Sequence, residues 1–175
     1  MKAVICTKYG PPEVLQIREL DKPIPKDNEV LVKVYATTVT RGDVRMRSFT
    51  VPFWQWLPAR LYLGISKPKR AITGMELSGV VESIGKNVTR FKPGDPVFSF
   101  VGMDFGANAE YKCIPADGNN PKVGLIAQKP GTVSFEEAAA ATGGALTALA
   151  FLKKLGLQKG QHLLIYGASG SIGTF

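Results

Sequence analysis

Cysteine and histidine are scarce: the 175 residues contain two of the first and one of the second. Cys6 and Cys113 lie far apart with no Cys-x-x-Cys spacing, which excludes a disulfide framework and a thiolate metal cluster. A reducing compartment, the cytoplasm, is the simplest setting. No apolar run approaches the length of a membrane-spanning helix. The apolar stretch at Met1–Thr7 is too short for a secretory signal, so no membrane partner is expected. Acids are also few, 14 against 22 lysines and arginines, for a formal charge of +8. The surplus is scattered, and its densest group, Lys67, Lys69 and Arg70, is interrupted by Pro68. A nucleic-acid footprint needs clustered basic residues, so no nucleic-acid partner is expected. A solvated surface or an anionic dinucleotide accounts for the charge equally well. There are no internal repeats and no low-complexity tracts.

What the chain does have is 45% hydrophobic residues, punctuated by 19 glycines and 12 prolines. That pattern predicts many short strands and tight turns. Strands are expected over 2–7, 14–20, 29–39, 77–84, 95–100 and 109–115, and a helical turn over 42–47. Segment 48–70 gathers both tryptophans with Phe49, Phe53, Tyr62 and three prolines. It reads as a loop over a satellite hydrophobic cluster or as an aromatic wall of a substrate pocket. From Ser134 the texture turns helical, with a capping serine followed by Glu136 and Glu137 near the positive helix end. Gly143-Gly144 is expected to break this helix, a second one following over 145–155. A strand over 163–166 then leads into Gly167-Ala168-Ser169-Gly170-Ser171-Ile172-Gly173.

In that glycine turn, Gly170 would let a pyrophosphate approach the backbone and Gly173 would let a helix pack closely on the strand. N–H groups at the helix start suit phosphate, with Ser169 and Ser171 as further donors. Ala168 stands where the strict G-x-G-x-x-G pattern has its first glycine, with Gly167 one place earlier, which leaves two registers open. A plain strand-to-helix turn is the alternative. The succession of strands, helices, strand and glycine turn predicts a mainly β fold with some α (α+β), handing over to an α/β unit.

The motif order resembles the medium-chain dehydrogenase/reductase superfamily, which contains alcohol dehydrogenases and quinone oxidoreductases. The resemblance rests on Met1-Lys2-Ala3-Val4, Tyr9-Gly10-Pro11-Pro12-Glu13-Val14-Leu15, Glu29–Val34, Gly74-Met75-Glu76-Leu77-Ser78-Gly79-Val80-Val81, Phe91–Val97, Ala109-Glu110-Tyr111 and Leu164–Gly170. It implies a GroES-like β-barrel domain over 1–125, a helical connection over 126–160, and the first βα element of a truncated Rossmann domain over 161–175. It also implies a parent that is a homodimeric oxidoreductase using NADP or NAD on a small-molecule substrate. The NADP preference comes from family analogy. The 175-residue piece alone is expected to be inactive and to bind dinucleotide weakly or not at all.

Departures from the family pattern sharpen this expectation. By resemblance, the catalytic-zinc cysteine position is Thr40, the histidine of the Gly-His-Glu motif is Met75, and the second cysteine falls near Gly143. The four-cysteine structural lobe is absent. Threonine, methionine and glycine cannot replace thiolate and imidazole on zinc, so no zinc is expected, and Glu76 and Asp43 remain as the carboxylates nearby. These two could equally be ion-pair partners of Arg41 or Arg45, Met75 a core residue, and His162 a surface or packing residue. A zinc-free member would pass hydride from nicotinamide to a quinone, an enone or an activated carbonyl. Thr40 and Asp43 are then the candidate pocket residues, and Thr147 and 167–173 the cofactor contacts. The alternatives are a zinc alcohol dehydrogenase with atypical ligands and a non-catalytic binding protein on the same scaffold.

Overall fold

A computed structural model describes residues 1–118, 120 and 123–175. β1 (Lys2–Cys6) and β2 (Leu15–Glu19) form an antiparallel hairpin. The main sheet contains β3 (Glu29–Thr37), β4 (Glu76–Ile84), β5 (Pro96–Phe100), β6 (Tyr111–Pro115) and β7 (Leu125–Gln128). Its order is β6-β3-β4-β5-β7, with every pairing antiparallel. Two register shifts between β3 and β4 help the sheet curl until β6 and β7 approach each other. Inside the curl, Val30, Val32, Leu77, Val81, Val97 and Ile114 are sealed from solvent. Their alternation along β3 and β5 is the period-two pattern of half-buried strands. β7 was not foreseen; it carries the sheet past residue 125.

Among the described residues three α-helices complete the fold: α1 (Arg41–Ser48), α2 (Trp56–Leu63) and α3 (Phe135–Leu155). The segment expected to be a loop over 48–70 thus contains α2, preceded by a single 3-10 turn at Phe53–Gln55. Part of its aromatic content does form a cluster. Phe49 is buried and meets the rings of Tyr9 and Trp56 edge-on at centroid distances of 4.8 and 6.4 Å. The Arg60 guanidinium lies 3.8 Å from the Phe49 ring centroid and 4.6 Å from that of Tyr9, pinning α2 to the first turn of the chain. Phe53 and Trp54, by contrast, are 96% and 74% exposed.

α3 starts where the sequence places it. Ser134 accepts from the Glu137 N–H while Glu137 accepts from the Ser134 N–H, a reciprocal capping box. The break expected at Gly143-Gly144 does not occur; α3 runs unbroken through both residues. These glycines answer two close approaches to adjacent positions of the helix. A Cβ on Gly143 would collide with Oε1 of Glu76, and one on Gly144 would sit 2.6 Å from the Ser171 carbonyl oxygen and 2.9 Å from the Phe175 ring. The strand expected over 163–166 is also absent: these residues have no ladder partner among the described residues, and Leu164 and Tyr166 are exposed. A strand without a neighbour leaves its backbone groups to water. α3 lies across β3, β4 and β5 and is fixed at its start by the Ser78 hydroxyl, which donates to the Phe135 carbonyl.

Candidate functional site

The positions assigned to a metal by resemblance meet where α1, the start of β4 and the middle of α3 converge. Thr40 caps α1: its Oγ1 accepts from the Asp43 N–H at 3.3 Å and donates to Asp43 Oδ2 at 2.7 Å. Asp43 Oδ2 also accepts from the Thr40 N–H at 2.8 Å, and its Oδ1 from the Gly74 N–H at 3.0 Å. Asp43 is only 5% exposed, and three N–H or O–H donors account for its burial. One carboxylate therefore closes the helix cap and fastens the turn before β4. Gly42 lets this corner close, since a Cβ there would lie 3.0 Å from the Met75 sulfur and 3.2 Å from Thr40 Oγ1.

Glu76 occupies the other half of the corner and is 6% exposed. Its Oε2 accepts from the Thr38 hydroxyl and its Oε1 from the Gly143 N–H at 3.0 Å. Burial pushes its carboxyl pKa above the ordinary value; the two hydrogen bonds oppose that shift and nearby Asp43 adds to it. Neither Asp43 nor Glu76 pairs with Arg41 or Arg45, so the ion-pair expectation is replaced by hydrogen bonds to backbone and threonine. Thr38, the hydroxyl partner of Glu76, was missed by sequence reasoning. So was the neighbouring chain in which Thr37 Oγ1 bonds Asn108 Oδ1 and Asn108 Nδ2 donates to Thr73 Oγ1. Nothing in the local sequence marks these residues, because strand crossing alone brings them together.

The corner does not suit a tetrahedral zinc ion. A thioether and a hydroxyl stand where soft anionic ligands would be needed, Gly143 has no side chain, and both carboxylates are already engaged. No group of three or more His, Cys, Asp and Glu comes together among the described residues. Thr147 lies one turn after Gly143 on α3, and its hydroxyl donates to the Gly143 carbonyl at 2.8 Å. His162 is exposed.

Two hollows flank the corner and share Val39. One, of about 500 Å³, is apolar and lies between the β1–β2 hairpin and the end of β3, with Val4, Ile17, Val34, Asp43 and Asn108 in its wall. The other, of about 870 Å³, lies over the outer side of α1 and is lined by Thr40, Arg41, Arg45, Ser48, Thr50 and Gln55 among others. The two residues expected in a substrate pocket are divided between them, Asp43 in the wall of the first and Thr40 in that of the second.

The glycine turn is exposed and folded back on itself. The Gly170 N–H donates to the Gly167 carbonyl at 3.0 Å, and the Thr174 N–H to the Gly170 carbonyl at 3.0 Å. Gly167 has φ 79°, and a Cβ on Gly173 would lie 2.5 Å from the Gly167 carbonyl oxygen and 2.6 Å from the Ala168 Cα. Both positions require glycine. Through the Ser171 carbonyl and Phe175, the turn packs onto Gly144 of α3.

Residues 26–141 match the alcohol dehydrogenase GroES-like domain. The quinone oxidoreductase of Sus scrofa is 34% identical over 175 residues, covering 99% of this chain and 47% of that protein. A mitochondrial NAD(P)H oxidoreductase of Homo sapiens is 34% identical over 185 residues, covering 45% of its own length. Among solved structures, the Escherichia coli quinone oxidoreductase complexed with NADPH superposes with a TM-score of 0.78 at 30% identity, over 99% of this chain and 47% of that one. The chain thus spans about half the length of the relatives it matches. The domain match, the curled antiparallel sheet and the helix laid across it agree, and the chain belongs to the alcohol dehydrogenase GroES-like family, in the quinone-oxidoreductase-like part of the medium-chain dehydrogenase/reductase superfamily.

Proposed function

We propose that this chain is the substrate-side half of a zinc-independent, NADP(H)-preferring reductase that delivers hydride to a quinone, an enone or an activated carbonyl. The observation that carries the proposal is the corner of Thr40, Met75, Glu76 and Gly143. There the groups a zinc ion would use are replaced or tied up, while the fold that presents them is intact. The names of relatives support the reaction class: quinone oxidoreductase in pig and human, and 2-methylene-furan-3-one reductase in tomato. NADPH in two neighbouring structures supports the cofactor.

The cofactor, when bound, supplies the hydride. The chain's own residues would hold and shape. The exposed backbone of Gly167–Gly173, with Ser169 and Ser171, would take the pyrophosphate, and the absence of a Cβ at Gly173 keeps the turn tight enough to do so. Thr147 would lie at the cofactor edge of α3. Thr40 and Asp43 act as pocket residues by orientation: the single hydroxyl proton of Thr40 goes to Asp43, so Thr40 offers the substrate an oxygen and a fixed wall. A proton for the reduced substrate then comes from water.

The domain limits 1–125, 126–160 and 161–175, a homodimeric parent and a cytoplasmic location belong to the same proposal. Two unpaired thiols suit a reducing compartment. No helix among the described residues is long and apolar enough to cross a membrane. The test is NADPH oxidation with a panel of quinones, enones and aldehydes, by the protein expressed with all of its reading frame. Turnover that survives chelation supports the proposal. Cofactor binding without turnover on any acceptor would instead favour a non-catalytic binding protein.

A further inference from the structure

The hollow on the outer side of α1 carries charge of one sign. Arg41 and Arg45 both line it, Ser48, Thr50 and Gln55 add polar groups, and no acidic residue contributes to its wall. Among the described residues, neither guanidinium makes a salt bridge or a hydrogen bond. The only acid on α1, Asp43, is turned the other way, onto Thr40 and Gly74. The arrangement is locally unfavourable. Arg41 is the first residue of the helix, where the macrodipole disfavours a cation. Arg45 follows one turn later, and like charges at i and i+4 repel. Two guanidiniums without an acidic partner among the described residues, over a hollow of about 870 Å³, form a receptor for anionic oxygen.

We propose that this hollow takes an electron-poor acceptor that itself carries an anionic group, a carboxylate, sulfonate or phosphate, held by Arg41 and Arg45. This deepens the reductase reading and rests on it. The same anionic chemistry could come from the phosphates of the cofactor, and the experiment separates the two sources.

The probes are an aryl enone with a para-carboxylate and its uncharged methyl ester. Their dissociation constants for the protein expressed with its complete reading frame are measured by calorimetric titration without NADPH, hence without turnover. The carboxylate is expected to bind about tenfold more tightly, the discrimination given by one hydrogen-bonded charge pair. Arg41→Gln together with Arg45→Gln should abolish that preference, leave the affinity for the ester unchanged, and keep the circular dichroism spectrum. Both side chains are exposed, so the fold tolerates the change. Equal binding of the two probes, no binding of the carboxylate, or a preference that survives the double substitution would each overturn the proposal. So would a double variant, assayed with its complete reading frame, whose only change is a higher KM for NADPH, since the arginines would then serve the cofactor. Selective binding, with no NADPH oxidation by the protein expressed with its complete reading frame, would leave the anion site standing and remove the reductase reading.

Discussion

Replacing Gly143 with alanine sets two physical effects against each other with opposite signs. In the interior of a helix, alanine is favoured over glycine by about 0.8–1.0 kcal/mol, so propensity alone makes Gly143→Ala stabilising. The structure requires the reverse. The added Cβ would overlap Oε1 of Glu76, a carboxylate that is almost wholly buried and that accepts the Gly143 N–H. Displacing it breaks a hydrogen bond to a charged group, a loss of about 1.5–3 kcal/mol. Overpacking of a close-fitting site adds about 1–3 kcal/mol. After the propensity gain, the net expectation is a destabilisation of about 1.5–5 kcal/mol. Urea unfolding followed by circular dichroism measures it. Gly131→Ala is the control, since a Cβ there meets nothing within 4 Å, and it should be neutral or mildly stabilising. Glu76→Ala should abolish most of the additional penalty in a double-mutant cycle. A Gly143→Ala chain as stable as the parent, or more so, would refute the close approach of α3 to Glu76.

The other predictions are more compact. Glu76 has a folded-state pKa above its unfolded value, so its contribution is fully present below the unfolded pKa and is lost as pH rises through the folded one. Stability should therefore fall with rising pH just above the ordinary carboxylate range, and Glu76→Gln should flatten that slope; an unchanged pH profile would contradict the burial. Asp43→Asn weakens the cap of α1 and the bond to Gly74, and should cost about 1–2 kcal/mol by thermal unfolding. Arg60→Lys should not replace arginine, because the flat guanidinium stacks on Phe49 and Tyr9 in a way an ammonium does not. The expected result is a loss of about 1 kcal/mol with changed tryptophan fluorescence. Cys113, pushed up to about 11, and buried Cys6 should react with a disulfide reagent at neutral pH only after unfolding.

The strands were legible because alternation along β3 and the glycine and proline punctuation between strands are local signals. The start of α3 was legible for the same reason: a capping serine, Ser134, is followed by Glu136 and Glu137. What failed was whatever depends on contacts distant in sequence. Gly143-Gly144 looks like a helix break until Glu76 and Ser171 are seen approaching these two positions. The apolar run at 163–166 looks like a strand, but strand formation requires a partner, which the described residues do not offer. α2 was hidden because Pro58 and the aromatics read as a loop, whereas proline is tolerated in the first turn of a helix. At the candidate site, the identities of Thr40, Met75 and Gly143 were readable by resemblance. The engagement of Asp43 by Thr40 and Gly74, and of Glu76 by Thr38 and Gly143, was not.

The central claim is that the corner of Thr40, Met75, Glu76 and Gly143 supports reduction by NADPH without zinc. Its most direct test is one preparation of the protein with its complete reading frame, exhaustively chelated and analysed for metal, then assayed for NADPH oxidation with a quinone acceptor. The account predicts a zinc content near zero and a rate unchanged by chelation or by added zinc. One zinc per chain, with activity lost on chelation and restored by the metal, would contradict it.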